Sequence, residues 1–206
     1  MNILPIHNSI MNSVTYVLYR EDVDYCVLID CGNSKRLYYE LERLRKYVKA
    51  VFLTHAHYDH IYGLNELLVH FPNVVIYTNA EGKEALYDTK LNFSKYHPDI
   101  LPFVYAGQGN VELLEDGMVM NLFNGEDIRV MSTPGHDVSC ISYVTGNNVF
   151  TGDSYIPGVK TVMSFPRSNK KDALDSEEKL KDWEKGGYQV CPGHDISQIE
   201  SHKNQF

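Results

Sequence analysis

The segment Thr54-His55-Ala56-His57-Tyr58-Asp59-His60 brings three imidazoles and a carboxylate together within six residues, directly after the apolar run AVFLT (50–54). A chain leaving a strand keeps alternate side chains on one side, so His55, His57 and Asp59 can converge while His60 turns toward the helix that follows. Imidazole nitrogens with one carboxylate suit Zn²⁺, Fe²⁺ or Mn²⁺, and their close spacing makes such a site partly preformed. The bland alternative has Asp59 capping a helix that begins near His60, amid a chance cluster of histidines. It explains one histidine more readily than three.

Three further fragments share one form, an apolar run ending in a small-residue turn that presents His or Asp. They are Thr133-Pro134-Gly135-His136, Thr151-Gly152-Asp153 and Cys191-Pro192-Gly193-His194. Glycine and proline allow a sharp turn at a strand end, where ligand sites of α/β proteins gather. Each fragment alone is an ordinary turn. Together with the first cluster they supply five histidines and two aspartates, enough for two metal ions sharing a bridging carboxylate.

The elements needed to position them alternate along the whole chain. SVTYVLYR (13–20) and YCVLID (25–30) read as a hairpin. After Gly32 comes a helix over SKRLYYELERLRKYV with Ser34 as its cap, then a strand at 50–54, a helix at 61–71 and a strand at 74–78. Strands at IRVMST (128–133), CISYVTG and NVFTGD precede a charged helix at 172–185 and a last strand at YQVCPGHD. The stretch 79–126 has weaker periodicity, and a small helical lid or an irregular wrapping segment is expected there. The whole reads as one α/β domain over residues 1–206.

Composition narrows the partners. The 206 residues carry a formal charge of −8, the wrong sign for a protein that neutralises a phosphate backbone along its length. No window approaches the roughly 18 apolar residues of a membrane span, and the first residues lack a basic stretch followed by an apolar one. A cytoplasmic protein with a small-molecule substrate, and neither nucleic acid nor membrane as partner, is therefore expected. The four scattered cysteines read as reduced, buried thiols. Oligomeric state is not legible.

In order and residue type, the set resembles the metallo-β-lactamase-fold hydrolases, in the glyoxalase II and lactonase-like branch. His55-x-His57-x-Asp59-His60 matches that family's HxHxDH signature, His136 and His194 its two PGH motifs, Asp153 its GD motif, and Ile29-Asp30-Cys31-Gly32 its early strand-end element. The resemblance implies a four-layer αββα sandwich of two mixed sheets. It implies His55, His57 and His136 on one metal, Asp59, His60 and His194 on a second, and Asp153 bridging, with Asp30 behind the ligands orienting one of them. It also implies two divalent ions, zinc first and iron or manganese as alternatives.

The chemistry implied is attack of a metal-bridging hydroxide, oriented by Asp59, on the carbonyl of a small thioester, ester or lactone. Tyr58, Tyr155 and Lys160 are the candidate substrate contacts. His7, His70, His97 and His202 match no motif and are assigned to packing or solvent, while YDTKLNFSKYH (87–97) resembles the region that covers the site in glyoxalase-type relatives. An iron-dependent sulfur dioxygenase and a non-catalytic ligand sensor on the same fold are the alternatives. Two departures stand out: Asp137 follows His136 where many relatives carry Thr, adding negative charge near the site, and Asp195 follows His194 where Gly is frequent. Only 12 residues follow His194, so the helical glutathione-binding domain of full-length glyoxalase II enzymes is not expected.

Overall fold

A computed structural model of the protein describes residues 1–33 and 35–195. The expected cap Ser34, and His202, lie outside the described residues. The first sheet holds six strands in spatial order: β1 (Asn2–His7), β2 (Val14–Tyr19), β3 (Tyr25–Ile29), β4 (Tyr47–Phe52), β5 (Val75–Thr78) and β6 (Val111–Leu113). Its first three strands pair antiparallel, and β3 to β6 run parallel. The second sheet contains β7 (Val119–Phe123), β8 (Glu126–Ser132), β9 (Ile141–Thr145), β10 (Asn148–Gly152) and β11 (Gln189–Pro192), in the order β11-β10-β9-β8-β7. Only its β10–β11 pair is parallel.

Helices α1 (Lys35–Leu44), α2 (Tyr58–Ile61), α3 (Leu64–His70) and α4 (Ala80–Leu86) follow strands of the first sheet, and α5 (Lys170–Lys185) belongs to the second. Three layers of buried side chains define four layers of backbone. Leu37, Leu41, Ile61, Leu64 and Leu67 of the helices pack with Val17, Leu28 and Val51 of the first sheet. Leu18, Val27, Ile29 and Phe52 from one sheet meet Phe123, Ile128, Tyr143 and Phe150 from the other. Met131, Val144 and Val149 on the outer face of the second sheet pack with Leu180 of α5. Adjacent strand residues such as Val17 and Leu18 thus enter different cores, which is why the strands read as continuous apolar runs and not as alternating ones. This is the expected αββα sandwich of two mixed sheets.

Several boundaries differ from the sequence reading. β1 was not foreseen: it carries Pro5, which cannot donate to a ladder and is tolerated because β1 is an edge strand. The single helix expected at 61–71 is two helices, and the first begins inside the histidine motif. The break falls at Gly63, whose amide donates to the Cys31 carbonyl (3.0 Å) and whose backbone passes so near Gly32 that an added Cβ would lie 2.0 Å from its carbonyl oxygen. The stretch 79–126 is also more regular than expected. It holds α4, one edge strand of each sheet (β6 and β7), and an irregular section between them. Among the described residues no helix is long and apolar enough to cross a membrane.

Backbone hydrogen bonds join the sheets at one end, where Ile141 N donates to Thr54 O (2.7 Å) and Val14 N to Gly193 O (2.8 Å). The turns after β3, β4, β8, β10 and β11 open toward this end, and these turns carry the candidate site residues.

Candidate metal centre

All seven candidate ligands converge at that end. His55, His57 and His136 present ligand atoms within 4.8 Å of one another, as do Asp59, His60 and His194, and as do His55, His60 and Asp153. The Asp153 carboxylate lies between the first two groups, 3.5 Å from His136 Nε2, 3.5 Å from His60 Nε2 and 3.2 Å from His194 Nε2. Asp59 Oδ2 is 3.3 Å from His194 Nε2 and 3.5 Å from His60 Nε2. Asp59 sits in the first turn of α2, whose cap position is His57, so its carboxylate is free of the capping role considered above.

The hydrogen-bond network fixes which nitrogen of each ring faces inward. His136 Nδ1 donates to Val162 O (2.9 Å) and His194 Nδ1 to Met11 O (2.9 Å). Asp30 accepts from Thr54 N (2.7 Å), Thr54 Oγ1 (2.7 Å) and His60 Nδ1 (2.8 Å). With the Thr54 hydroxyl hydrogen committed to Asp30, His55 Nδ1 donates to Thr54 Oγ1 (3.1 Å). His57 turns Nε2 toward the Asp137 carboxylate at 3.7 Å. Four of the five rings thus have an outward nitrogen that donates a hydrogen bond, and the fifth, His57, turns its outward nitrogen toward a carboxylate without bonding it, so the inward nitrogens are the ones left for an ion.

That arrangement needs a cation. His57 Nδ1 and His136 Nε2 face each other at 3.0 Å, and His60 Nε2 and His194 Nε2 at 3.3 Å, each pair turning two ligand nitrogens toward one space. His55 Nε2 and Asp153 Oδ1 are buried without a hydrogen-bond partner. Orphaned buried polar atoms of this kind are costly, and metal ligation satisfies them. Protonation divides the rings: around His60 and His194 the carboxylates outweigh burial and raise the pKa, so a proton stands there where a cation would, whereas His55 and His136 are held neutral. Burial, then the imidazoles of His60 and His57, push His55 well below the usual histidine range, and burial lowers His136 as well. Burial alone would raise the Asp153 carboxyl, but His194, His60 and His136 hold it far down. Neutral imidazoles and ionised carboxylates are the ligand forms, so the residues present fit a pair of divalent ions.

Asp30 does more than stabilise its turn. It is buried in the left-handed region (φ 59°), a conformation that aspartate tolerates better than most residues, and it joins His60 to the Thr54–His55 pair. Sequence reasoning missed Thr54 as the link to His55. Asp137, noted there only for its charge, accepts from Ser139 N (2.8 Å) and Ser139 Oγ (2.6 Å), faces His57, and pairs with Arg167 Nε at 3.4 Å. Although burial opposes ionisation, His57 and Ser139 hold its carboxyl at about 2. A carboxylate directly beside a ligand histidine was the signal that could have assigned it.

The substrate contacts divide. Tyr58 lines the cavity over the centre. Tyr155 does not: the chain turns after Gly152, with Ser154 N donating to Thr151 O (3.1 Å), and the Tyr155 hydroxyl donates to Glu184 Oε2 of α5 (2.6 Å). Lys160 is exposed beyond the Ile156–Val159 turn and does not line the cavity. Of the unassigned histidines, His70 packs on Tyr38 and His97 on Tyr58, while His7 lies 3.4 Å from Asp195.

Comparison with known proteins follows the geometry. The model of the metallo-beta-lactamase superfamily (Lactamase_B) matches residues 11–194. Hydroxyacylglutathione hydrolase from Salmonella paratyphi A is 28% identical over 137 residues, 66% of this chain but only 45% of that relative, so the match spans less than half of the curated protein. Among solved structures, the BLEG-1 B3 metallo-beta-lactamase superposes with a TM-score of 0.82 at 23% identity, covering 94% of this chain and 92% of its own. TTHA1623 in a di-iron-bound form gives 0.74 at 22% identity, covering 93% and 92%. At these identities the structural likenesses speak to the fold.

Proposed function

The chain belongs to the metallo-beta-lactamase superfamily, and on that premise we propose that it is a dinuclear metal-dependent hydrolase of a small thioester, ester or lactone. The observation that carries this reading is the set of five histidines whose inward nitrogens gather around Asp153, four with the outward nitrogen donating a hydrogen bond and His57 with its outward nitrogen 3.7 Å from Asp137. His55, His57 and His136 would hold one ion and Asp59, His60 and His194 the other, with Asp153 between them. Two bound divalent ions, zinc first and iron or manganese by supply, supply a water nucleophile at neutral pH and polarise a carbonyl.

The chain's own residues do the rest. Asp59, on the cavity wall, orients the attacking water through one carboxylate oxygen and carries its proton toward the leaving group. Asp30 and Asp137 stand behind His60, His55 and His57 and keep those rings from turning as charge develops, so little reorganisation is needed during the reaction. The nearby Ser154 and Cys191 have no part as nucleophiles: the Ser154 hydroxyl donates to Thr133 O (2.8 Å), and burial pushes the Cys191 thiol up to about 12. Four buried, unpaired cysteines support a cytoplasmic setting.

The test is hydrolysis of S-lactoylglutathione, a lactone and a simple ester by protein loaded with zinc, iron or manganese. At least one substrate should release acid, and release should fall by a factor of at least about 10³ in His57→Ala. Turnover unchanged in that variant would overturn the reading.

A further inference from the structure

The cavity over the metal centre has a volume of about 400 Å³ and two unlike halves. Its floor is five of the seven ligands, His57, Asp59, His136, Asp153 and His194. Its walls are Met11, Phe93, Ile156, Val159, Val162 and Phe165, with Tyr58 beside them, and none of the described residues lining it is a lysine or arginine. Phe93 and Phe165 pack against each other with ring centroids 4.8 Å apart, and both lie edge-on to His57, at 4.8 and 5.1 Å. The apolar wall therefore begins at the ligands themselves.

The chain also holds Phe93 there against its backbone preference. Its φ is 64°, in the left-handed region that a bulky residue rarely adopts. The segment around it is tied down by buried Asn92, whose side chain donates to Ala85 O (2.9 Å) and Phe103 O (3.0 Å) and accepts from Ser94 N (3.1 Å). Asn92 O in turn accepts from Tyr58 N (2.9 Å), inside the metal motif. A strained aromatic, over-determined by buried hydrogen bonds and facing a reactive centre, is backbone strain maintained at a functional position.

We propose that this wall is a seat for an aliphatic acyl chain, so that the preferred substrate is an uncharged ester or thioester of a medium-length fatty acid and not a glutathione conjugate. The assignment rests on the hydrolase reading above and specifies its substrate class. An acyl carbonyl over the metal floor places its chain between Phe93 and Phe165, where each methylene leaves water for an apolar surface. A glutathionyl leaving group brings two carboxylates and one ammonium, a net negative charge that a protein of net charge −8 repels, and the described lining residues offer no cation to receive its carboxylates.

The test uses the metal-loaded protein with p-nitrophenyl esters from acetyl to octanoyl, and with one octanoyl group carried as a thioester on either N-acetylcysteamine or glutathione. The expected result is a kcat/KM that climbs by about fourfold per methylene over the first members, with the N-acetylcysteamine thioester favoured over the glutathione one. The octanoyl-to-acetyl ratio, internal to each protein, should collapse in Phe93→Ala and Phe165→Ala. A flat chain-length profile, or preference for the glutathione thioester, overturns the acyl seat while leaving the hydrolase reading standing.

Binding of the neutral fluorophore N-phenyl-1-naphthylamine to chelated protein, displaced by octanol, supplies a readout independent of turnover. Binding that weakens in both variants supports the seat even if no ester is cleaved, in which case it is the hydrolase reading that fails. No binding, or binding indifferent to both substitutions, overturns the seat.

Discussion

At the scale of single residues, the centre concentrates positive-charge demand. His60 shows it most clearly. Burial would lower its pKa, but the carboxylates of Asp59, Asp30 and Asp153 outweigh burial and raise it to about 10, so that without an ion a proton takes the ion's place. An unfolded histidine titrates near 6.5. The folded value is the higher one, so the stabilisation is complete below about pH 6.5 and is lost as pH rises through about 10. The thermal midpoint of chelated protein should therefore fall between pH 7 and 10, and Asp30→Asn should make that fall shallower by removing one of the three carboxylates. A midpoint independent of pH over this range would contradict the assignment. The same Asp30→Asn variant should bind metal about 10- to 100-fold more weakly, as loss of a partner behind a ligand generally does, measured by competition with a chromophoric chelator.

At the scale of elements, the site is a set of strand-end turns, and that is why so much of it was legible. Ligands on a turn lie a few residues apart, so the cluster at 55–60 and the two PGH turns carry their own spacing signal. What the chain does between turns carried less. Tyr155 is two residues from Asp153, yet the intervening turn sends it to α5. Lys160 sits a few residues further on and points to solvent. Asp137, Phe93 and Phe165 meet His57 only because separate loops fold over it, and no local pattern records such contacts. Three of the four edge strands were illegible for another reason: β1, β6 and β7 are paired on one side only and their sequences carry shorter or interrupted apolar runs, whereas the fourth edge, β11, was marked by the PGH turn that ends it.

One turn makes a direct prediction. A Cβ at Gly193 would lie 2.3 Å from Asp153 Oδ1 and 2.9 Å from the His60 ring. Gly193→Ala should displace the Asp153 carboxylate and reduce bound metal well below the wild-type count in elemental analysis, while far-ultraviolet circular dichroism stays unchanged. Full metal content in that variant would show that the turn has room that this packing denies it.

At the scale of the whole molecule, the sandwich separates support from chemistry. Three buried layers hold the two sheets, and the ends of those sheets meet where Ile141 bonds Thr54 and Val14 bonds Gly193. Ligands from both sheets thus converge on one cleft: His55, His57, Asp59 and His60 from the first, His136, Asp153 and His194 from the second. The fold was legible as alternating elements, whereas the pairing of the sheets depends on long-range contacts that the sequence does not display. An acidic molecule with a buried cluster of imidazoles and carboxylates is completed by cations, and its activity should follow their number. The most direct measurement is the hydrolysis rate of an ester substrate as zinc is titrated into chelated protein. A rate that is negligible without metal and rises to a plateau at about two ions per chain is the predicted result. A rate already present in fully chelated protein, unchanged by added metal, would contradict the account.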